Sequence, residues 1–376
     1  MAKVLHLIYS LRTGGAERAL VDICKHLPAP YVPVVCATRG GPYVRELEEA
    51  GIEVQTLAPA EVHPPWPRAA LWIWHQVRQQ KPALVHTHMY HANALGQFAA
   101  WAAGVPGIGH IQGVYDYYDD RESGFGRMVC PHTYRWLARG GRCRYLAVGQ
   151  GLSTEFTRHT GVKADVVYNA ANVATFDRVA NTGVLRQLLG LEQGQPLVGH
   201  VHRLAEHKDP DCFLRAARRI LDRRPEVQFV MVGDGPLRAE VERLRSQLGL
   251  EARVHMLGER HDVPVLMHDF DVFAFPTKWE GLPLVACEAM ACRKPVVGTN
   301  VIGLNEVVVH GETGYLVPLG DHEALAERIL ELLENPDLAR RMGEAGRQRV
   351  LEHFTIERQI AGIVRVYEEQ LSRFGG

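Results

Sequence analysis

Short apolar runs alternate with segments of helical periodicity along the whole chain. The compact run Lys3–Tyr9 predicts a buried strand, and Ala16–Leu27 repeats its apolar residues at helical spacing. Comparable strands are predicted at Val32–Ala37, Ile52–Leu57, Leu84–His86, Ile108–Ile111, Arg144–Val148 and Ala164–Tyr168, and predicted helices include Tyr43–Ala50 and Arg68–Gln80. Strand and helix in alternation indicate a parallel sheet that is covered by helices on both faces.

The alternation begins again after residue 170. Strands are predicted in this second half at Leu197–Val201, Gln228–Val232, Arg253–Met256, Val272–Phe275 and Val296–Gly298. Two such cycles predict an α/β fold of two Rossmann-like, doubly wound domains, and the polar, irregular segment Ala170–Pro196 contains the expected boundary. Ligands of open parallel sheets bind beyond the carboxyl ends of the strands, so chemistry is expected in the turns that follow strands.

The composition fits two globular domains. The chain has 376 residues, of which 46% are hydrophobic and 23% charged, and its formal net charge is −1. Because binding to a phosphate backbone needs a strong positive balance, nucleic acid is not an expected partner. The first apolar run is too short for a signal sequence, and no later run reaches the ~18 residues of a membrane span, so a cytoplasmic protein is expected.

Neither the cysteines nor the histidines predict a metal site. The seven cysteines are scattered, and none stands in a Cys-x-x-Cys pair, which favours free thiols over zinc ligation or disulfides. His86, His88 and His91 have the spacing of a metal cluster, but no firm carboxylate or thiolate complement accompanies them. We interpret these histidines as turn polarity or as the lining of a pocket, and we expect no metal.

Two turns carry residues that suit a phosphate group. Gly14 and Gly15 follow the first strand, where paired glycines let backbone N–H groups approach an anion at a helix N-terminus. A plain tight turn is the alternative, since the spacing is not that of a dinucleotide fingerprint. Arg203 and Lys208 follow the strand Leu197–Val201, and a forked guanidinium beside a compact ammonium suits a diphosphate. A solvated basic loop is the alternative there.

A third turn carries two carboxylates. Glu280 and Gly281 lie between the strand Val272–Phe275 and a helix that Pro283 is expected to begin, and Glu288 lies inside that helix. Carboxylates accept hydrogen bonds from hydroxyl groups, so two of them close to a phosphate-type site indicate binding of a sugar or a ribose. For Glu288, an ordinary place on the helix surface is the alternative.

Several motifs follow one another in a fixed order along the chain. They are Gly14-Gly15-Ala16-Glu17-Arg18-Ala19-Leu20, Val232-Gly233-Asp234-Gly235-Pro236-Leu237, Gly258-Glu259-Arg260-His261-Asp262-Val263, Asp271-Val272-Phe273 with Pro276, the element from Glu280 to Glu288, and His310-Gly311-Glu312-Thr313-Gly314-Tyr315-Leu316-Val317-Pro318. With these motifs the chain resembles the family-four group of retaining glycosyltransferases, which have the GT-B fold. The match is densest over residues 197–320.

The resemblance implies different ligands for the two domains. Residues 1–170, with a returning helix at 355–376, would bind a saccharide or lipid-linked acceptor, and residues 171–354 would bind a nucleotide-diphosphate sugar across a central cleft. Donor contacts are implied for Gly15, Arg203, Lys208, Asp262, Val263, Glu280, Gly281, Leu282, Leu284 and Glu288. Acceptor contacts are implied for Gly14, Gln112, Tyr115 and Tyr117.

The resemblance also implies the roles of single residues. Arg203 and Lys208 would stabilise the departing diphosphate, Glu280 would hold the sugar hydroxyls, and Glu288 would accept from the ribose. The backbone near Asp262 would frame the base. Members of the family usually need no metal or cofactor and keep the anomeric configuration. A UDP-sugar is expected only because it is the most frequent donor.

The first domain departs from the family pattern at one polar position. Members often have a sugar-contacting histidine just before a glycine, and this chain has Gln112 there. His110 lies two residues earlier on the same strand face and is the alternative for this catalytic contact. Elsewhere, Val301-Ile302-Gly303 stands where the family has a glycine pair.

The tryptophans of the predicted helix Arg68–Gln80 allow a peripheral contact with the inner membrane surface. Its periodicity places Trp74 on the buried face and Trp72 opposite, where an outward tryptophan near Arg68 and Arg78 suits a membrane interface. An isolated exposed aromatic residue is the alternative. Two other function classes stay open, another GT-B enzyme such as a nucleotide-sugar epimerase, and a non-catalytic nucleotide-binding module.

Overall fold

The computed structural model describes residues 1–113, 132–179, 183–192 and 194–374, which form two compact units. The first unit consists of Met1–Ala170 together with Ile356–Gly376, and the second of Ala171–Thr355. The observed division lies within one residue of the boundaries that the sequence predicts.

The first unit contains a seven-stranded sheet in the order β3-β2-β1-β4-β5-β6-β7. All paired strands in it are parallel. The strands are β1 Ala2–Ser10, β2 Tyr31–Arg39, β3 Glu53–Ala58, β4 Leu84–His88, β5 Gly107–Ile111, β6 Cys143–Ala147 and β7 Ala164–Val166. The chain therefore reverses its direction of travel across the sheet between β3 and β4, which is the doubly wound arrangement.

Helices cover both faces of this sheet. They are α1 Gly15–His26, α2 Tyr43–Glu49, α3 Trp66–Gln80, α4 Tyr90–Ala102 and α5 Gln150–Thr160. The helix Ile356–Ser372 completes the unit by packing Ile360 and Ile363 against Val4 and Leu84 on one face. On the other face, α3 and α4 pack against Leu5 and the alternate residues of neighbouring strands. Side chains of successive strand residues point to opposite faces, so each strand contributes to both clusters.

The second unit contains a six-stranded parallel sheet in the order β10-β9-β8-β11-β12-β13. Its strands are β8 Leu197–Val201, β9 Gln228–Val232, β10 Val254–Gly258, β11 Val272–Phe275, β12 Val296–Thr299 and β13 Gly314–Val317. Its helices are α6 Val173–Asp177, α7 Val184–Leu189, α8 Pro210–Arg223, α9 Arg238–Gln247, α10 Val263–Met267, α11 Leu284–Ala291, α12 Leu304–Val307, α13 His322–Glu334 and α14 Pro336–His353, and the chain then enters α15, Ile356–Ser372, in the first unit.

The strand β13 was not predicted. It has four residues and begins at Gly314, whose backbone runs so close to β12 that a Cβ there would lie 2.0 Å from the carbonyl oxygen of Val296. A strand this short gives no alternation that a sequence pattern can detect.

The prediction for the tryptophans of α3 was wrong. Trp72 packs against the core beside α4, whereas Trp74 is 37% exposed and lies under the guanidinium of Arg78 at 4.8 Å. Helix α3 packs against α4 as well as against the sheet, so its buried stripe is rotated from the one that its own periodicity indicates. Trp66, at the start of the helix, is exposed.

No helix among the described residues is long and apolar enough to cross a membrane. The six cysteines in the described part of the chain are buried and free, as predicted. Cys130 lies outside it.

Candidate functional site

The strongest group of polar side chains lies at the carboxyl edge of the second sheet. Lys208 ends a short 3-10 helix, Glu206–Lys208, that follows β8, and Glu280 lies in the loop between β11 and α11. The ammonium Nζ of Lys208 donates to Oε1 of Glu280 at 2.6 Å. Two strands that are neighbours in the sheet thus bring together two residues that are far apart in the sequence.

Thr277 fixes the position of Glu280. Its hydroxyl donates to Oε1 of Glu280 at 2.9 Å, and its backbone N–H donates to the hydroxyl of Thr299, at the end of β12, at 3.0 Å. Both threonines are buried. Glu280 as a whole is only 7% exposed, and these hydrogen bonds orient its carboxylate toward Lys208. Neither threonine was predicted from the sequence, although Thr277 lies two residues after the end of a predicted strand.

Gly303 allows the loop of Glu280 to pack closely. It has a φ of 84°, and a Cβ at this residue would lie 2.5 Å from the carbonyl oxygen of Gly281 and 3.0 Å from Cβ of Glu280. Only glycine meets both conditions without strain. Gly303 thus retains one member of the expected glycine pair, at the position where the backbone approaches Gly281.

Arg203 is exposed in the loop after β8, and its guanidinium forms no ion pair within the described ranges. This loop lies against the turn of Gly233, where a Cβ would be 1.8 Å from the carbonyl oxygen of His202. His202 is buried beside Lys208, and burial, followed by the charge of Lys208, holds the pKa of the imidazole well below its ordinary value. Arg203 and Lys208, rather than this histidine, are therefore the basic groups that fit the predicted diphosphate site, and Lys278 is a further exposed lysine near this edge.

The other donor contacts predicted in the second unit lie around the same edge, whereas Gly15, also predicted to contact the donor, lies in the first unit. Leu282 and Leu284 are buried beside Glu280, and Glu288 is half-buried within α11. Asp262 precedes α10, and a bidentate hydrogen bond from Arg260, at 2.8 and 2.6 Å, lowers the pKa of its carboxyl group. Its side chain is thus already engaged, which is compatible with the expected contact through the backbone at Asp262 and Val263.

The glycine turn of the first unit differs from the expected anion site. Gly14 precedes α1, which begins at Gly15, but the carboxylate of Glu17 occupies the adjacent space, 2.3 Å from where a Cβ of Gly14 would be. The hydroxyl of Ser10 donates to this carboxylate at 3.3 Å. A negative charge at the helix N-terminus disfavours a second anion there and favours a donor such as a hydroxyl group.

The histidines of the first unit form a buried cluster in the sheet, which corrects their predicted place in a turn. His6, His86, His88 and His110 have no exposed surface and come from β1, β4 and β5. Nδ1 of His6 lies 3.1 Å from Nε2 of His88, and Nδ1 of His86 lies 2.6 Å from the hydroxyl of Tyr367. The strand β4 continues to His88, two residues beyond the predicted end.

This burial decides between His110 and Gln112. Within the described part of the chain, neither ring nitrogen of His110 has a partner or an exposed surface, so in this structure His110 does not reach a position where it could contact a sugar. Gln112 is half-buried beyond the end of β5. Its Nε2 atom lies 3.2 Å from Nδ1 of His88, and its Oε1 atom accepts a hydrogen bond from Nδ2 of Asn169 at 3.4 Å. Gln112 is the residue that lies at the ligand edge.

Two of the predicted acceptor contacts, Tyr115 and Tyr117, lie outside the described residues, and so does the side chain of His91. Among the described residues, His6, His86 and His88 are the group whose ligand atoms, all within 4.8 Å of one another, could hold a metal ion.

The buried histidines predict loss of stability in acid. Burial lowers the pKa of His110 from 6.5 to about 3, so between these pH values the imidazole is neutral in the native state and protonated in the unfolded chain. The resulting stability is complete above pH 6.5 and is lost as the pH falls toward 3. We expect His110→Leu to reduce the pH dependence of the unfolding free energy in this window by about 1.4 kcal/mol per pH unit.

Urea titrations at several pH values measure this difference. The exposed His75 provides the control, because His75→Gln should retain the wild-type slope. An equal slope in wild type and His110→Leu would show that His110 does not stay neutral in the native state.

Two sequence profiles match the chain. The profile described as Glycosyltransferase Family 4 matches residues 13–175, and the profile described as Glycosyl transferases group 1 matches residues 183–349. Together they span most of both units.

Relatives with known names match over most of their length. The UDP-Gal:alpha-D-GlcNAc-diphosphoundecaprenol alpha-1,3-galactosyltransferase of Escherichia coli is 26% identical over 80% of this chain and 79% of its own. The alpha-D-kanosaminyltransferase of Streptomyces kanamyceticus is 26% identical over 80% of this chain and 82% of its own. The crystal structure of Anabaena HepE in complex with UDP and glucose superposes with a TM-score of 0.84, at 25% identity, over 98% of this chain and 100% of that one.

Two Rossmann-like units, each built on a parallel sheet, define the GT-B fold that this chain shares with known glycosyltransferases. The chain belongs to the group 1 and family 4 glycosyltransferases, and the predicted fold class and family are confirmed.

Proposed function

We propose that this glycosyltransferase moves a hexose-type sugar from a UDP-sugar to a saccharide or lipid-linked acceptor, with retention of the anomeric configuration. The observation that carries the proposal is the pair of Lys208 and Glu280, 2.6 Å apart at the ligand edge of the second unit. A cation suits the departing diphosphate, and a carboxylate suits the sugar hydroxyls. Side by side, they match the two ends of the bond that a sugar transfer breaks.

The relatives support the choice of donor and acceptor. HepE was crystallised with UDP and glucose, and the name of the E. coli relative specifies UDP-galactose and a diphosphoundecaprenol-linked acceptor. We assign the diphosphate to Arg203 and Lys208, the sugar to Glu280, the ribose to Glu288 and the acceptor to the first unit near Gln112. Such a reaction would serve the synthesis of a cell-surface polysaccharide or glycoconjugate.

Incubation with UDP-hexoses tests this proposal and its alternatives. Without acceptor, a glycosyltransferase is expected to hydrolyse its donor slowly, and nuclear magnetic resonance should detect a released sugar that first has the donor's anomeric configuration. Conversion of one nucleotide sugar into its epimer would instead identify an epimerase. Binding without any turnover, with or without saccharide acceptors, would identify a nucleotide-binding module.

We expect the activity to survive a chelator. In the proposed site, the fixed charges of Arg203 and Lys208 perform the charge neutralisation that a divalent ion provides in other phosphate sites. Transfer rates with and without EDTA should therefore agree. A loss in EDTA that added metal restores would contradict this and would direct attention to His6, His86 and His88.

We also propose that the protein is cytoplasmic and touches the membrane surface through α3. Trp66 is 73% exposed and Leu71 70% exposed, and tryptophan beside arginine favours a lipid interface. In sedimentation with anionic vesicles, Trp66→Ser with Leu71→Ser should release the protein. Leu319→Ser, an equally apolar change at an exposed residue of the second unit, should not. Equal sedimentation of both variants would contradict the role of α3.

A further inference from the structure

Arg39 is a buried cation at the ligand edge of the first sheet. It is the last residue of β2, where it lies in register with Ser10 of β1 and Ala58 of β3, and only 4% of its surface is exposed. The carboxyl ends of three adjacent strands therefore surround it. This is the edge at which parallel sheets bind ligands.

No described carboxylate neutralises this charge, although the guanidinium lies over the ring of Tyr9, 5.9 Å from the ring centroid. The guanidinium donates to the carbonyl oxygen of Ala60 and to Nδ1 of His63, at 3.4 Å, and it forms no ion pair with a described carboxylate. Its Nε atom is buried without a partner. A buried charge without a counter-charge is unfavourable, so its presence calls for a ligand or a function.

A second donor converges on the same point. The hydroxyl of Tyr9 lies 3.0 Å from Nδ1 of His63, the atom that Arg39 also contacts. Because arginine can only donate, Nδ1 must carry the lone pair, and the tyrosine hydroxyl must donate as well. Two donors from β1 and β2 thus aim at one acceptor atom.

The nitrogen that accepts both of these hydrogen bonds belongs to a side chain at the protein surface, where an incoming ligand could displace it. His63 is exposed and lies in the segment between β3 and α3. A neutral imidazole nitrogen is a weak partner for a guanidinium, whereas an anionic oxygen would form charge-assisted hydrogen bonds with both donors. His63 therefore occupies the place that an anionic oxygen fits better.

We propose that Tyr9 and Arg39 form an anion subsite for the acceptor, and that the anion displaces His63. The ligand group is a phosphate or carboxylate oxygen, as carried by a diphosphate-linked lipid or an acidic saccharide. This inference deepens the proposed function and rests on it, since only that function assigns acceptor binding to the first unit.

Anion binding can be measured without turnover. The experiment uses a chain with Lys208→Met, so that phosphate binding in the second unit is weakened, and follows the melting temperature in inorganic phosphate and in acetate. Phosphate should raise the melting temperature in this background, and adding Arg39→Met should abolish the gain. Arg45→Met provides the matched control, because Arg45 is exposed and pairs with Glu49, and it should leave the gain intact.

Arg39→Met also distinguishes an arginine that binds a ligand from one that has only a structural role. Without ligand, Arg39→Met should melt at or above the temperature of its parent, because an unneutralised buried charge has been removed. If phosphate still raises the melting temperature of Arg39→Met by the same amount, the proposed subsite is wrong. If Arg39→Met fails to fold, Tyr9→Phe removes only the second donor, and it should still reduce the gain. A gain from phosphate alone would indicate a phosphorylated acceptor, and a gain from acetate an acidic saccharide.

Kinetics then test the link to the acceptor. With an anionic acceptor, Arg39→Met should raise the acceptor KM by roughly 10–100-fold, whereas Arg45→Met should keep the wild-type KM. Equal KM values would show that the anion subsite does not serve the acceptor. If wild type turns over no nucleotide sugar, the proposed function fails, while the phosphate titration still decides whether the subsite exists.

Discussion

Replacing Lys208 with methionine is expected to lower kcat by about 10²–10³-fold, the usual effect of removing one group that stabilises charge in the transition state. The ammonium lies at the carboxyl edge of the second sheet with only 17% of its side chain exposed, so little water would replace it on the departing diphosphate of the proposed reaction. Arg203→Ala should act in the same direction. Steady-state transfer rates with the donor at saturation measure both effects.

Lys278 supplies the control for this experiment. It has the same charge and lies two residues from Glu280, but it is exposed and pairs with Glu206 at 3.7 Å. Lys278→Met should therefore keep most of the wild-type rate. Near-wild-type turnover in both Lys208→Met and Arg203→Ala would remove the diphosphate from this edge of the sheet.

Glu280→Gln and Glu288→Gln are expected to affect different kinetic constants. Glu280 is held by Lys208 and Thr277 at the loop where the sugar would bind, and its charge can act on positive charge that develops at the anomeric carbon. Its loss should lower kcat by roughly 10²-fold. Glu288 lies on α11 and would contact the ribose equally before and during the reaction, so its loss should raise the donor KM by about 10-fold.

Calorimetric titration with UDP separates the two roles. UDP has the ribose but no transferable sugar, so its affinity should fall in Glu288→Gln and change little in Glu280→Gln. The opposite ranking would mean that the two carboxylates have exchanged roles.

The alternation of apolar runs was sufficient to predict the two sheets and most of their strands. The signal was strong because a strand buried on both faces, such as β11, is continuously apolar. It failed where burial depends on partners distant in sequence. His86 and His88 look like turn residues in the sequence, but the cluster with His6 and His110 makes them interior residues of a strand.

The sequence predicted the charged residues at the carboxyl edge of the second sheet, but not the residues that hold them in place. A carboxylate after a strand and a lysine after another suggest chemistry, and the structure brings Glu280 and Lys208 together. Thr277 and Thr299, 22 residues apart, act through a hydrogen bond that no local pattern encodes. Gly303 is required by a backbone approach to Gly281, a distance that only the folded chain defines.

The path of the chain has a consequence for the order of folding. The polypeptide leaves the first unit after Ala170 and re-enters it at Ile356, and the backbone N–H of Ala171 donates to the carbonyl of Phe354 at 3.0 Å, so the second unit starts and ends at neighbouring points. On the ribosome, every residue of the second unit emerges before α15, whose side chains complete the core around Val4 and Leu84. The second unit can thus fold as one uninterrupted stretch, like a domain inserted into a host. The host has all of its strands early but remains unfinished until its last helix has been synthesised.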